Sequence, residues 1–258
     1  MTFTYVALGD SQSEGVGDLP WPDGRPRGWT DRLAAALADN YDPVWYANLA
    51  VRGKRAAAVL AEQLGPASKL QPDLVTVTAG VNDVLRPSVD VAEVVDILDH
   101  LAAGLSTVAA TTILVKAPNL AGLSIPGRLL AGRLNALNAG IDQIARPRGV
   151  LVLTAPDGSV FEDLRAWSPD RLHLSALGHQ RLARGAAHLL GLPGQPDWFA
   201  PAAGLPPRRT PWTEARWAID HFAPWVGRRL RGISSADGRA AKQPEPQHVS
   251  TLPTHGQS

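Results

Sequence analysis

The chain has 258 residues, 45% of them hydrophobic and 19% charged, which is the balance of a globular protein with a full core and excludes a disordered or fibrous class. It contains no cysteine, so disulfides, thiolate metal sites, iron–sulfur clusters and thiol nucleophiles are all excluded. The net charge of +1 is uneven: residues 1–200 carry 17 Lys and Arg against 20 Asp and Glu, while residues 201–258 carry 8 against 4, so a slightly acidic body argues against a nucleic-acid partner.

Short β-branched runs alternate with longer helical patterns, the signature of a parallel sheet with crossover helices. Phe3–Leu8 reads as the first strand, ended by Gly9, and Trp29–Leu37 as a helix that Thr30 or Asp31 caps. Val44–Asn48 is the second strand, Arg55–Leu64 the second helix and Leu74–Thr78 the third strand, closing at Gly80. Over Val89–Val108 the residues Val91, Val94, Val95, Leu98, Leu101 and Leu105 recur at helical spacing. Thr112–Lys116 is the fourth strand, Arg128–Ile144 a helix, Val150–Leu153 the fifth strand and Ser175–Leu190 the closing helix, capped by Ser175. The expected architecture is a flavodoxin-like, doubly wound five-stranded parallel sheet in three α/β/α layers, occupying residues 1–192. In such sheets ligands sit beyond the carboxyl ends of the strands.

After residue 192 the texture changes. Residues 193–232 read as a strap rich in Pro, Gly and Ala followed by a basic amphipathic helix, Trp212–Leu230, which Pro224 should kink. Three roles fit this helix: docking on the body, which is the simplest, lying on anionic lipid as a peripheral membrane contact, or covering the active-site edge as a lid. Residues 233–258 are polar, contain proline and lack periodicity, so a disordered tail is expected. No basic, apolar, small-residue leader opens the chain and about 18 apolar residues never run together, so a cytoplasmic location is expected.

Four short motifs follow strand ends or precede a helix. Gly9-Asp10-Ser11 puts a hydroxyl where the first strand delivers it to the ligand edge, and a serine there needs a base to become nucleophilic. Gly53 lets backbone approach a ligand and offers an unobstructed N–H. Asn82, in Gly80-Val81-Asn82-Asp83, carries a neutral donor suited to an oxyanion. Asp170-Arg171-Leu172-His173 pairs a general base with a carboxylate that orients it. Each alone reads more readily as a turn, loop or helix cap. No metal-ligand spacing occurs, and Gly15-Val16-Gly17 lacks the third glycine of a phosphate loop. His179, inside the closing helix, reads as structural.

Together and in this order the four motifs resemble the SGNH (GDSL-type) serine hydrolases, over about residues 4–190. The resemblance implies Ser11 as nucleophile, His173 as base, Asp170 as its partner, and an oxyanion hole from the N–H groups of Ser11 and Gly53 and the Asn82 amide. It implies a small-molecule ester substrate and no cofactor. An acyltransferase with the same triad, or a non-catalytic module holding a glycan or lipid, is the alternative. A monomer or small homo-oligomer is expected. After Ser11 this chain has Gln12 where the family commonly has an aliphatic residue, which bears on the pocket floor. Asp10, Gln12, Trp21 and Asp83 are candidate substrate contacts, and the segments Asp18–Gly28 and Asn119–Pro126 are candidate pocket walls.

Overall fold

Phe3–Gly9 (β1) and Leu74–Thr78 (β3) are apolar and buried along nearly their whole length, which requires a sheet covered on both faces. In the computed structural model, which describes residues 2–22, 24, 26–193, 196–231, 235–236 and 238–249, they pair in parallel with Gly9 opposite Thr78. With Val44–Asn48 (β2), Thr111–Val115 (β4), Leu151–Leu153 (β5) and Gln243–His248 (β6) they form one sheet in the order β5-β4-β3-β1-β2-β6. The first five strands are parallel, as the sequence leads one to expect. The chain leaves β1 on one side for β2 and crosses to the other for β3, so the topological switch lies between β1 and β3 and opens a crevice at their carboxyl ends.

The two faces carry separate cores. Trp29–Ala38 (α2) and Ala176–Leu189 (α7) pack Trp29, Leu33, Leu37, Leu182 and Ala186 on one. Ala56–Lys69 (α3), Val91–Ser106 (α5) and Ile125–Arg148 (α6) pack Val59, Leu98, Leu101, Leu134 and Leu137 on the other. Helix α3 outruns its expected end and continues through Pro66, and α6 starts three residues early because Ser124 Oγ accepts the Gly127 N–H with Pro126 in the first turn.

The sequence fails at the chain's end. Where a disordered tail is expected, β6 runs antiparallel to β2, pairing His248 with Trp45 and Gln247 with Tyr46. Pro244 and Pro246 erase the strand signal, yet an edge strand tolerates proline where its missing N–H would face solvent. Lys242 anchors the strand's start on Asp31 at 2.5 Å, so the parallel sheet gains a sixth, capping strand. Residues 233–234, 237 and 250–258 of the expected tail, and residue 232 before it, lie outside the described residues.

The strap docks rather than dangles: Trp198 is buried against Phe161 and lies over Gly185, where a Cβ would meet its ring at 2.7 Å. The expected Trp212–Leu230 helix is present as Pro211–Trp217 (α8), a π-helical turn Ala218–Phe222 and Ala223–Leu230 (α9). The regular α-helix gives way to this widened turn immediately before Pro224, a residue that cannot donate a hydrogen bond, so the helix is interrupted where the proline leads one to expect an irregularity.

His179 on α7 is fully buried. Its Nδ1 accepts the Trp29 N–H at 3.2 Å, so its Nε2–H donates to Val16 O at 3.1 Å, tying three segments together through a neutral ring. Burial pushes its pKa down to about 4. A histidine so depressed contributes stability above its unfolded pKa of about 6.5 that is lost as pH falls toward 4, about 3 kcal/mol in all. Urea unfolding at pH 7 and pH 4.5 should therefore show a steeper acid loss for the wild type than for His179→Gln; equal losses would exclude this role.

Candidate active site

Gly9 ends β1 at φ +127°, and a Cβ there would lie 2.1 Å from Thr78 O, so only glycine lets β1 and β3 close at this edge. Buried Gln63 on α3 satisfies the backbone released by the turn, with Oε1 accepting the Gly9 N–H at 2.7 Å and Nε2 donating to Gly9 O at 2.9 Å. The chain then enters the short helix Ser11–Glu14 (α1), with Asp10 as its cap accepting the Gln12 N–H at 3.1 Å. Ser11 thus stands at the first helical position at the mouth of the crevice.

Gly53 lies in the loop after β2 at φ +79°, and a pair that sequence reading passed over places it. The buried Glu14 carboxylate accepts the Arg52 N–H at 2.6 Å and its Nε–H at 2.8 Å, fixing α1 against the residue preceding Gly53. The only signal was a lone arginine inside the run Leu49-Ala50-Val51-Arg52-Gly53. Among the described residues the N–H groups of Ser11 and Gly53 have no acceptor. Asn82, on the four-residue helix Val81–Val84 (α4) after β3, donates to Asp10 Oδ2 at 3.0 Å and to the Lys54 carbonyl at 3.1 Å.

The turn before α7 brings the last motif to the same edge. His173 donates from Nδ1 to Asp170 Oδ2 at 2.7 Å, while Asp170 Oδ1 accepts the N–H groups of Leu172 and His173 and the Ser168 hydroxyl. Burial raises the Asp170 pKa, but the bond from His173, the attraction of its ring and the Ser168 hydroxyl outweigh it and hold the carboxyl well below its usual range. The carboxylate thereby fixes the Nδ1–H tautomer and leaves Nε2 as the proton acceptor. Gly17 makes room for this turn: a Cβ on it would meet Leu174 O at 2.2 Å and His173 Cβ at 3.2 Å. Among the described residues neither the Ser11 hydroxyl nor His173 Nε2 has a hydrogen-bond partner, so both are available to a ligand.

The candidate substrate contacts divide. Gln12 spans from the nucleophile helix to the histidine turn, donating to Leu172 O at 2.8 Å and accepting from Leu174 N at 3.4 Å, on either side of His173. Asp10 is buried between Ser11 and Asn82 and, with Gln12, borders a small apolar cavity of about 60 Å³ walled by Val115, Ala117, Leu153 and Phe161 among others. Asp83, expected to face substrate, is instead buried and accepts the Ala56 N–H at 2.9 Å, capping α3. Trp21, expected as a pocket wall, borders neither this cavity nor the one described next; the Arg27 guanidinium covers its ring at 5.2 Å. The other expected wall does form: Leu120 borders both cavities, and Leu123, Ser124 and Pro126 line the second, of about 300 Å³, together with His173 and Asp170. Among the described residues no group of His, Asp or Glu could hold a metal ion.

Burial pushes the Asp10 carboxyl up to about 6. A carboxyl so raised contributes stability below its unfolded pKa that is lost as pH climbs through 6, about 3 kcal/mol. Between pH 4 and pH 7 the wild type should lose stability relative to Asp10→Asn by that amount, opposite in sign to the His179 effect. Denaturant midpoints at the two pH values measure it, and parallel curves would refute it.

Comparison with known proteins places this geometry. The structure is similar to LAE5, an alpha/beta hydrolase enzyme from the metagenome of Lake Arreo, Spain (TM-score 0.62, 20% identity, covering 74% of this chain and 96% of that one). It is similar to TesA (TM-score 0.61, 23% identity, 72% and 97% covered) and to a catalytic mutant of Axe2, an acetylxylan esterase from Geobacillus stearothermophilus (TM-score 0.61, 19% identity, 78% and 97%). At such identities these likenesses show the fold. A search of curated proteins finds no match. The family model of the GDSL-like lipases and acylhydrolases matches residues 7–181, which takes in every motif from Ser11 to His173, and the chain belongs to that family.

Proposed function

We propose that this acylhydrolase cleaves carboxylic esters through an acyl-enzyme on Ser11. The observation that carries the reading is the His173 ring, held in the Nδ1–H tautomer by an ionised Asp170 and presenting an unengaged Nε2. His173 takes the Ser11 proton as the hydroxyl attacks the acyl carbon. The oxyanion is met by the N–H groups of Ser11 and Gly53, and by an Asn82 N–H that turns from the Lys54 carbonyl. His173 then gives the proton to the leaving alkoxide, and a water, activated by the same ring, releases the acid.

The small cavity beside Asp10 and Gln12 receives the acyl group. Its volume of about 60 Å³ is under half that of the engineered cavity of about 150 Å³ that admits benzene, so short acyl chains fit and long ones do not.

A fluorophosphonate probe followed by peptide mass spectrometry should label Ser11, and Ser11→Ala or His173→Ala should lose several orders of magnitude in kcat on p-nitrophenyl acetate. Asn82→Ala should lose about 10²–10³-fold. Undiminished turnover in Ser11→Ala would exclude the assignment. Gln12 is a positioning residue: Gln12→Leu should lower kcat about tenfold and slow probe labelling with KM nearly unchanged, because the histidine turn loses its tie to α1. A change confined to KM would instead make Gln12 a substrate contact.

A further inference from the structure

The cavity of about 300 Å³ beside His173 lies between the hydrolase body and the C-terminal helix. Its floor is Leu85, Leu120, Leu123 and Leu130, and its roof is Trp217, Phe222 and Trp225, stacked in sequence with ring centroids 5.9 and 6.0 Å apart. The roof belongs to residues 211–230, beyond the 7–181 span that the family model matches.

The roof is fastened to the catalytic turn itself. Arg171, between Asp170 and His173, makes a two-pronged ion pair with Glu214 of α8 at 2.7 and 2.9 Å. Its guanidinium also lies 4.5 Å from the centre of the Trp217 ring and donates to Leu123 O. Arg209 grips the same Glu214 and donates to Gly122 O. Arg171 holds φ +56°, a conformation that non-glycine residues adopt only when their surroundings impose it.

We propose that this compartment binds the alcohol side of the ester and selects alkyl or aryl alcohols of about the size of octyl or phenylethyl. The inference rests on the serine-hydrolase reading of the same site. The group that protonates the leaving oxygen is His173, so the leaving alcohol must lie on the His173 side. The large cavity is lined by His173, whereas the small one is not. The two meet at Leu120 and Leu172, which border both, so the acyl and alcohol halves are assigned to adjoining spaces. The large cavity has about twice the volume that accepts benzene, and Leu, Trp, Phe and Pro side chains form its floor and roof, with Ser124, Asp220, His221 and Arg228 adding polar groups outside the catalytic turn, which suits an extended, mainly apolar group.

Two ester series on the full chain test this. With acetate held constant and the alcohol lengthened from ethyl to octyl or 2-phenylethyl, kcat/KM should rise at least tenfold. With ethanol held constant and the acid lengthened from acetate to octanoate, it should fall. Phe222→Ala and Trp225→Ala should each reduce the octyl-to-ethyl ratio about tenfold, while Ile219→Ser, 70% exposed and absent from the cavity lining, should keep the wild-type ratio. Calorimetric titration with 1-octanol, done on wild type and on Ser11→Ala, should give binding that Phe222→Ala weakens at least fivefold. A flat alcohol series, a rise along the acyl series instead, or octanol binding indifferent to Phe222 would each overturn the proposal. Fluorophosphonate labelling of Ser11 reports separately on the underlying reading, and the octanol titration holds or fails whether or not Ser11 is labelled.

Discussion

The reactive geometry depends on fastening one irregular turn, residues 168–174, to a rigid sheet. The turn is neither strand nor helix, and it carries the imidazole that must face a serine delivered by β1. Its internal order comes from Asp170, whose two carboxylate oxygens gather a ring N–H, two backbone N–H groups and a hydroxyl. Its external order comes from three directions. Gln12 reaches it from α1, Gly17 admits its backbone at close range, and Arg171 carries it outward to the C-terminal helix. Hydrogen bonds to a charged carboxylate are worth roughly twice neutral ones. The ionised state of Asp170 is therefore a structural requirement of the turn.

Around that turn the protein buries ionisable groups of opposite preference. Asp10 is driven toward its neutral acid and His179 toward its neutral base, both chiefly by loss of water. Their effects on stability oppose each other between pH 4 and pH 6.5, so each hides the other in the wild type. Buried Glu14 is instead paired with Arg52, a pairing that is costly to break from one side only. The loop bearing Gly53 is held by that pair rather than by packing alone.

Much of this was legible in the sequence because it is local. The five parallel strands and the positions of Ser11, Asn82 and His173 follow from alternating patterns and from motifs at strand ends and a helix entry, and the structure brings these residues to one edge. What stayed hidden is non-local or contradicts a propensity. Asp83 reads as a substrate contact until α3 is seen to end its N-terminus on that carboxylate. Strand β6 carries two prolines, and only its pairing with an otherwise open edge makes it a strand. Gln12 reads as a departure from an aliphatic position; its partners are about 160 residues away in sequence, beyond any spacing rule.

The same division bears on specificity. The family-matched span holds Ser11, Gly53, Asn82, Asp170 and His173 and nearly all the residues around the small apolar cavity. The walls that differ in size come from elements the sheet does not fix: residues 119–126 after β4 and the helix after residue 210. Such segments vary without disturbing the core, so binding preference can change while the chemistry stays. Here the helix after residue 210 is not independent, because Glu214 closes on Arg171, inside the turn that carries His173. A helix that walls the larger cavity is thereby tied to the turn that holds His173.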